Sequence, residues 1–261
     1  MAEAKDRGRF VWYDLMAVDT AAAKDFYTKL IGWRTQAWEG SDQPYTLWTN
    51  KEKPLGGIAE LPKEVQESGA PPHWIAYVAV DNTKAVADRA SAAGAKVMHP
   101  PTDIPNEGGS YAVLVDPQGA LFAIYSSASE QEEIGPPQVG QFSWHELATT
   151  DDKAAFAFYS QIFGWQKGEA MNMGEDAGIY QIYSHGEMPL GGMFTKPEEM
   201  PGPPMWLYYI SVDDVSTSVE TVKELGGQVI NGPIEVPGGD LIAQCLDPQG
   251  ALFALHSSSS D

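Results

Sequence analysis

A chain of 261 residues with 43% hydrophobic content is long enough for two ordinary domains, each with its own core. Its 16 basic and 36 acidic residues give 16 − 36 = −20, a field that repels phosphate backbones and anionic lipid, so nucleic-acid and membrane partners are excluded. The lone cysteine, Cys245, rules out an intrachain disulfide and a Cys-rich metal site. The opening MAEAKDRGRF lacks the apolar stretch of a signal peptide, so a cytoplasmic protein is expected.

In chain order, FVWYDLMAV (Phe10–Val18) reads as a strand, after which Asp19 or Thr20 caps a helix over AAAKDFYTKLIG. Phe26, Tyr27, Leu30 and Ile31 make its apolar stripe, and Gly32 ends it. A second unit begins at WIAYVAV (Trp74–Val80). Asp81 follows, then the helix NTKAVADRASAAG to Gly94 and the strands AKVMHP, SYAVLVDP and ALFAIYSS. One strand, one helix and two or three antiparallel strands define an α+β module.

The rest of the chain repeats this. Tryptophan followed seven residues later by aspartate occurs at Trp12/Asp19, Trp74/Asp81, Trp144/Asp151 and Trp206/Asp213. The first and third tryptophans are 132 residues apart, as are the second and fourth, so the chain is a duplicated pair of modules. FYTKLIGW matches FYSQIFGW, PLGG recurs at Pro54–Gly57 and Pro189–Gly192, and DPQGALFA recurs at Asp116–Ala123 and Asp247–Ala254. The acidic, then Pro/Gly-rich segment Ala128–Gln141 reads as a linker, with the boundary near residue 135.

This order of strand, Asp-capped FY…GW helix and closing DPxG strand resembles the vicinal oxygen chelate superfamily of glyoxalases, bleomycin-resistance proteins and extradiol dioxygenases. The resemblance implies four βαβββ modules forming two glyoxalase-like domains, over residues 8–127 and 140–258, joined by a linker at 128–139. In that family two modules curl into a cup that holds a small molecule, often on a divalent metal. The family's metal positions fall here on Trp12, Trp74, Trp144 and Trp206 in the first strands and on Ala123 and Ala254 in the last. None of these is a ligand, so no confident cofactor is expected. The resemblance leaves a divalent metal open, on an atypical site in the lyase or hydroxylase reading, because the usual ligand positions are not retained.

Strand parity, with the tryptophan face turned into the cup as the resemblance implies, places Trp12, Asp14, Trp74 and Tyr125 on the cup face of the first half. Trp144, Glu146, Trp206, Tyr208 and His256 then lie on the cup face of the second half. A duplicated chain admits cups paired within a half or across halves. Two readings follow. In one, the tryptophans wall a site that binds a small aromatic or oxygenated molecule. In the other, a lyase or hydroxylase of lactoylglutathione-lyase-related type uses Glu146 as base and His256 as acid or orienter. No GxGxxG, P-loop or GxSxG motif points elsewhere. Four modules in one chain suffice for both cups, so a monomer satisfies the architecture and an oligomer is equally compatible.

Overall fold

The computed structural model describes residues 6–40, 44–105, 108–127, 135–174 and 178–259. The first module runs β1 (Phe10–Ala17), α1 (Thr20–Ile31), β2 (Arg34–Trp38), β3 (Tyr45–Asn50) and β4 (Lys53–Glu60), trailed by the short α2 (Lys63–Glu67). The second is β5 (His73–Ala79), α3 (Thr83–Ala92), β6 (Lys96–Ile104), β7 (Gly109–Val115) and β8 (Leu121–Ser126). The third is β9 (Phe142–Thr149), α4 (Asp152–Phe163), β10 (Gln166–Asn172), β11 (Ile179–His185) and β12 (Met188–Thr195). The fourth is β13 (Met205–Ser211), α5 (Val215–Glu224), β14 (Gln228–Glu235), β15 (Leu241–Leu246) and β16 (Leu252–Ser257). All four are βαβββ, as the sequence repeat requires.

The strands form two eight-stranded sheets, one per half, in the orders β2-β3-β4-β1-β5-β8-β7-β6 and β10-β11-β12-β9-β13-β16-β15-β14. Compact packing, by contrast, crosses the halves. One unit takes the described residues of Met1–Val11 with Ala76–Gly135 and Trp144–Trp206; the other takes Trp12–Ile75, Pro136–Ser143 and Leu207–Asp261. The first unit thus joins the second and third modules, and the second unit joins the first and fourth. Of the expected linker, residues 128–134 lie outside the described residues. No helix among the described residues is long and apolar enough to cross a membrane.

In the second unit, α1 starts where the Asp19 side chain accepts from the backbone N–H of Ala21 and Ala22, and it stops at Gly32, whose φ of 82° suits a residue without Cβ. Its inner face buries Ala23, Phe26 and Tyr27. The Tyr27 ring sits among Trp33, Trp48, Trp74 and Phe253. A phenol in such surroundings needs partners for its hydroxyl. Trp74 Nε1 donates to it at 3.0 Å, and it donates to Asp247 Oδ2 at 3.3 Å. The other Asp247 oxygen closes the DPQG turn by accepting from the N–H of Gln249 and Ala251.

The first unit is built by the same rule. α4 is capped by Asp151 and Gly164, and it buries Phe158 and Tyr159. Trp206 Nε1 donates to the Tyr159 hydroxyl at 3.2 Å, which donates to Asp116 Oδ2 at 3.0 Å. Asp116 Oδ1 accepts from the N–H of Gln118, Gly119 and Ala120. Helix α3 in this unit is capped by Asn82, one residue beyond Asp81. The repeated DPQG is therefore a clasp. Its aspartate holds its own turn with one oxygen and, with the other, the FY helix of the opposite half. Burial lifts both carboxyls above their ordinary range, against the pull of these donors. Cys245 is buried and free, and burial pushes its thiol up to about 12, as suits a packing residue.

Candidate functional site

Two sets of side chains share one chemistry, one set in each unit. In the second unit, Trp12 and Asp14 stand two residues apart on β1 and so on the same face. The Tyr45 hydroxyl, from β3, donates to Asp14 Oδ1 at 2.6 Å. Trp12 Nε1 donates to that same oxygen at 2.9 Å and to the Tyr45 hydroxyl at 2.8 Å. In the first unit, Trp144 Nε1 donates to the Tyr180 hydroxyl at 2.7 Å, which donates to Glu146 Oε2 at 3.0 Å. Both indoles are half-buried, while Asp14 is buried.

The PLGG repeat explains how a tyrosine reaches these carboxylates. Gly57 pairs with Asp14 across the parallel β1–β4 ladder, and Gly192 pairs with Glu146 across β9–β12. A Cβ at Gly57 would overlap the Tyr45 ring, and one at Gly192 the Tyr180 ring. Only glycine leaves the phenol a path over the strand. Gly192→Ala is therefore expected to push Tyr180 off Glu146 and to cost about 1–3 kcal/mol of stability. Chemical denaturation checks this, and a variant as stable as the wild type would show that the ring has room to give way.

Sequence reasoning missed Tyr45 and Tyr180. The signal was present, since PLGG repeats at 135 residues where the tryptophans repeat at 132, and an offset of 135 also brings Tyr45 onto Tyr180.

The expected grouping of Trp74 with Tyr125, and of Trp206 and Tyr208 with His256, is corrected by the ladders. Parallel pairing sets Tyr77 beside Ala123 and Ala79 beside Tyr125 in the first unit. In the second it sets Tyr209 beside Ala254 and Ser211 beside His256. Paired residues share a face, so Trp74 on β5, and Trp206 and Tyr208 on β13, point to the other side. That side is core. Trp74 is 6%, Trp206 8% and Tyr208 1% exposed. The two indoles donate to the helix tyrosines, and Tyr208 meets Tyr13 and Phe142 edge-on.

The face that carries Ala123 and Tyr125 instead holds Tyr77 and Tyr111, which meet at 6.2 Å, and His99 stacks on Tyr111 at 5.0 Å. Tyr125 is half-buried and pairs with Tyr111 across β7–β8. His256, in the second unit, has Nδ1 at 2.9 Å from Ser143 Oγ and Nε2 at 3.0 Å from Asp240 Oδ2. Glu146 belongs to the first unit and His256 to the second, so each is read with the partners of its own unit.

The described residues at the family's metal positions do not fit a metal centre. Ala123 and Ala254 are fully buried and offer no lone pair. Among the described residues no group of three or more His, Cys, Asp or Glu side chains is placed to hold an ion.

The sequence and the fold match known proteins along nearly the whole chain. The chain belongs to the Glyoxalase/Bleomycin resistance protein/Dioxygenase superfamily, whose family model matches residues 9–124 and 140–255. It is 33% identical over 248 residues to the Mycobacterium tuberculosis (strain CDC 1551 / Oshkosh) protein named "Putative glyoxylase CFP32", covering 94% of this chain and 92% of that one. It is 30% identical over 261 residues to the anthracycline biosynthesis protein DauV of Streptomyces sp. (strain C5), covering 95% and 92%. In fold it resembles the Mn(II)-bound glyoxalase from Novosphingobium aromaticivorans, with a TM-score of 0.65 at 17% identity, covering 100% of this chain and 84% of that one.

Proposed function

We propose that the protein binds a small aromatic, oxygenated molecule, its ring against Trp12 or Trp144 and a hydroxyl directed to Asp14 or Glu146. The observation that carries this is the carboxylate–phenol–indole set, built twice with the same indole-to-phenol and phenol-to-carboxylate bonds and the same strand glycine. A half-exposed indole offers a stacking plane, and a carboxylate accepts from a phenolic hydroxyl more strongly than a neutral group does. An aromatic ligand is also in keeping with the name of the Streptomyces relative. The matched family, which takes its name partly from bleomycin resistance, supports small-molecule binding in general.

Calorimetric titration with a panel of catechols, naphthols and hydroxyquinones tests the proposal. Saturable binding by at least one class is expected, weakened roughly 10- to 100-fold at the affected site by Asp14→Asn or Glu146→Gln, the loss of a charge-assisted hydrogen bond. Affinity unchanged in the double variant, or no binding by any member of the panel, would sink the reading. The lyase or hydroxylase reading adds one arm: turnover of the bound molecule that vanishes in Glu146→Gln while binding persists would support Glu146 as base.

A further inference from the structure

The two halves differ at three linked positions on one face. In the second unit, Ser143 Oγ lies 2.9 Å from His256 Nδ1, and His256 Nε2 lies 3.0 Å from Asp240 Oδ2. In the other half the counterparts are Val11, Gly109 and Tyr125, found by carrying back the repeat offsets of 132 for Ser143 and 131 for the DPQG-linked strands. Those three supply no serine hydroxyl, no carboxylate and no imidazole. Chemistry absent from one copy and complete in the other is what a duplicated scaffold shows when one copy has gained a role of its own.

The polarity of the relay follows from its ends. A carboxylate only accepts, so the proton of neutral His256 sits on Nε2 facing Asp240, and Nδ1 turns a lone pair toward the Ser143 hydroxyl. Asp240 is fixed from behind, where Oδ1 accepts from the N–H of Ser259 at 2.9 Å. Burial works to raise the Asp240 carboxyl, but its bonds to His256 and Ser259 outweigh it and hold the group below its ordinary range, hence ionised. The relay is reachable from solvent, with the His256 side chain 20% and that of Asp240 36% exposed. Ser143 also approaches the Tyr209 carbonyl at 3.4 Å, a longer contact that leaves the imidazole as its better acceptor.

We propose that Ser143, His256 and Asp240 form a nucleophile, base and orienter that transfer the acyl group of a small aryl ester to Ser143 and then to water. In the first step Ser143 Oγ bonds to the acyl carbon as its proton passes to His256 Nδ1. The bond between the acyl carbon and the aryloxy oxygen breaks, and the phenolate leaves, taking up the proton that His256 returns. In the second step water gives a proton to His256 and its oxygen to the acyl carbon. The Oγ–acyl bond then breaks, Ser143 recovers a proton, and a carboxylic acid departs. A phenolate is the leaving group that asks least of the site, because it is stable with little proton transfer. Asp240 acts as a positioning residue, since its contact is with the imidazole and not with the ester. This step stands apart from the ligand sites at Asp14 and Glu146.

The test uses the full chain and p-nitrophenyl acetate. A burst of p-nitrophenolate equal to one acyl group per chain is expected, with the adduct on Ser143 by peptide mapping. Ser143→Val and His256→Tyr install the residues that the other half already carries, so both variants are expected to fold, as circular dichroism would show. Each should lower the acylation rate at least about a hundredfold. Asp240→Asn should lower the rate and alter its pH profile, which a purely structural substitution would leave in place. Release that survives Ser143→Val, or an adduct on any other residue, overturns the proposal, and so does the absence of a burst in the wild-type chain.

Discussion

Asp116→Ala is expected to lower the free energy of unfolding by roughly 3–5 kcal/mol, more than most single substitutions cost. The carboxylate receives three backbone N–H groups of its turn, at 2.7–2.9 Å, and the Tyr159 hydroxyl at 3.0 Å. Removing it strands four donors at a site that is 3% exposed, where water cannot replace it. Asp116→Asn keeps a carbonyl oxygen for the turn and should cost only about 1 kcal/mol, because the loss is then confined to charge and to the second oxygen. Asp247→Ala should reproduce the large effect in the other unit, with Tyr27 in place of Tyr159. Guanidinium denaturation decides the matter: an Asp116→Ala chain within about 1 kcal/mol of wild type would show that the turn holds without its acceptor.

The second large effect depends on pH. His145 is buried, stacks on Phe10 at 3.9 Å, and shares its Nδ1 proton with the Leu190 carbonyl at 2.7 Å. Burial pushes its pKa down to about 3; the Leu190 carbonyl resists this and the nearby Arg9 charge adds to it. The folded protein thus keeps this imidazole neutral where the unfolded chain would protonate it. Its contribution is complete above the unfolded value near 6.5 and is lost as the pH falls toward 3, a total of up to about 4 kcal/mol. Asp116 and Asp247 act with the opposite sign. Their raised values make the folded state hold protons more readily, so they add stability as the pH falls through those values toward the ordinary carboxylate range. Comparing wild type with His145→Phe removes that background. The wild-type chain should lose stability more steeply between pH 6.5 and 4, and parallel curves would assign the acid sensitivity elsewhere.

The modules were legible because helix and strand punctuation repeats with them. Asp19 and Asp151 cap, Gly32 and Gly164 stop, and FY recurs at the same place on each helix. The site face of β1 was legible for a different reason: Asp14 interrupts an apolar strand, and a carboxylate there marks the face that carries the half-buried Trp12 and Met16. No such marker exists in β5 or β13, which are buried almost throughout. An apolar strand covered on both faces carries no alternation, so aligning Trp74 with Trp12 by sequence said nothing about which way the indole points. Ser143 and Asp240 were hidden for a third reason. Each acts on a partner brought in by strand pairing or by the second repeat, and such a partner has no fixed offset along the chain.

The crossed bonds of the DPQG turns give the duplication a further meaning. The first half supplies an acceptor, Asp116, and a donor, Tyr27; the second half supplies an acceptor, Asp247, and a donor, Tyr159. Each half thus gives what the other takes, one acceptor and one donor in each direction. A half on its own would carry both members of the bond, matched to a second copy of itself. Fusion in one chain fixes that exchange at a single stoichiometry and frees the copies to diverge elsewhere, as Val11, Gly109 and Tyr125 have from Ser143, Asp240 and His256.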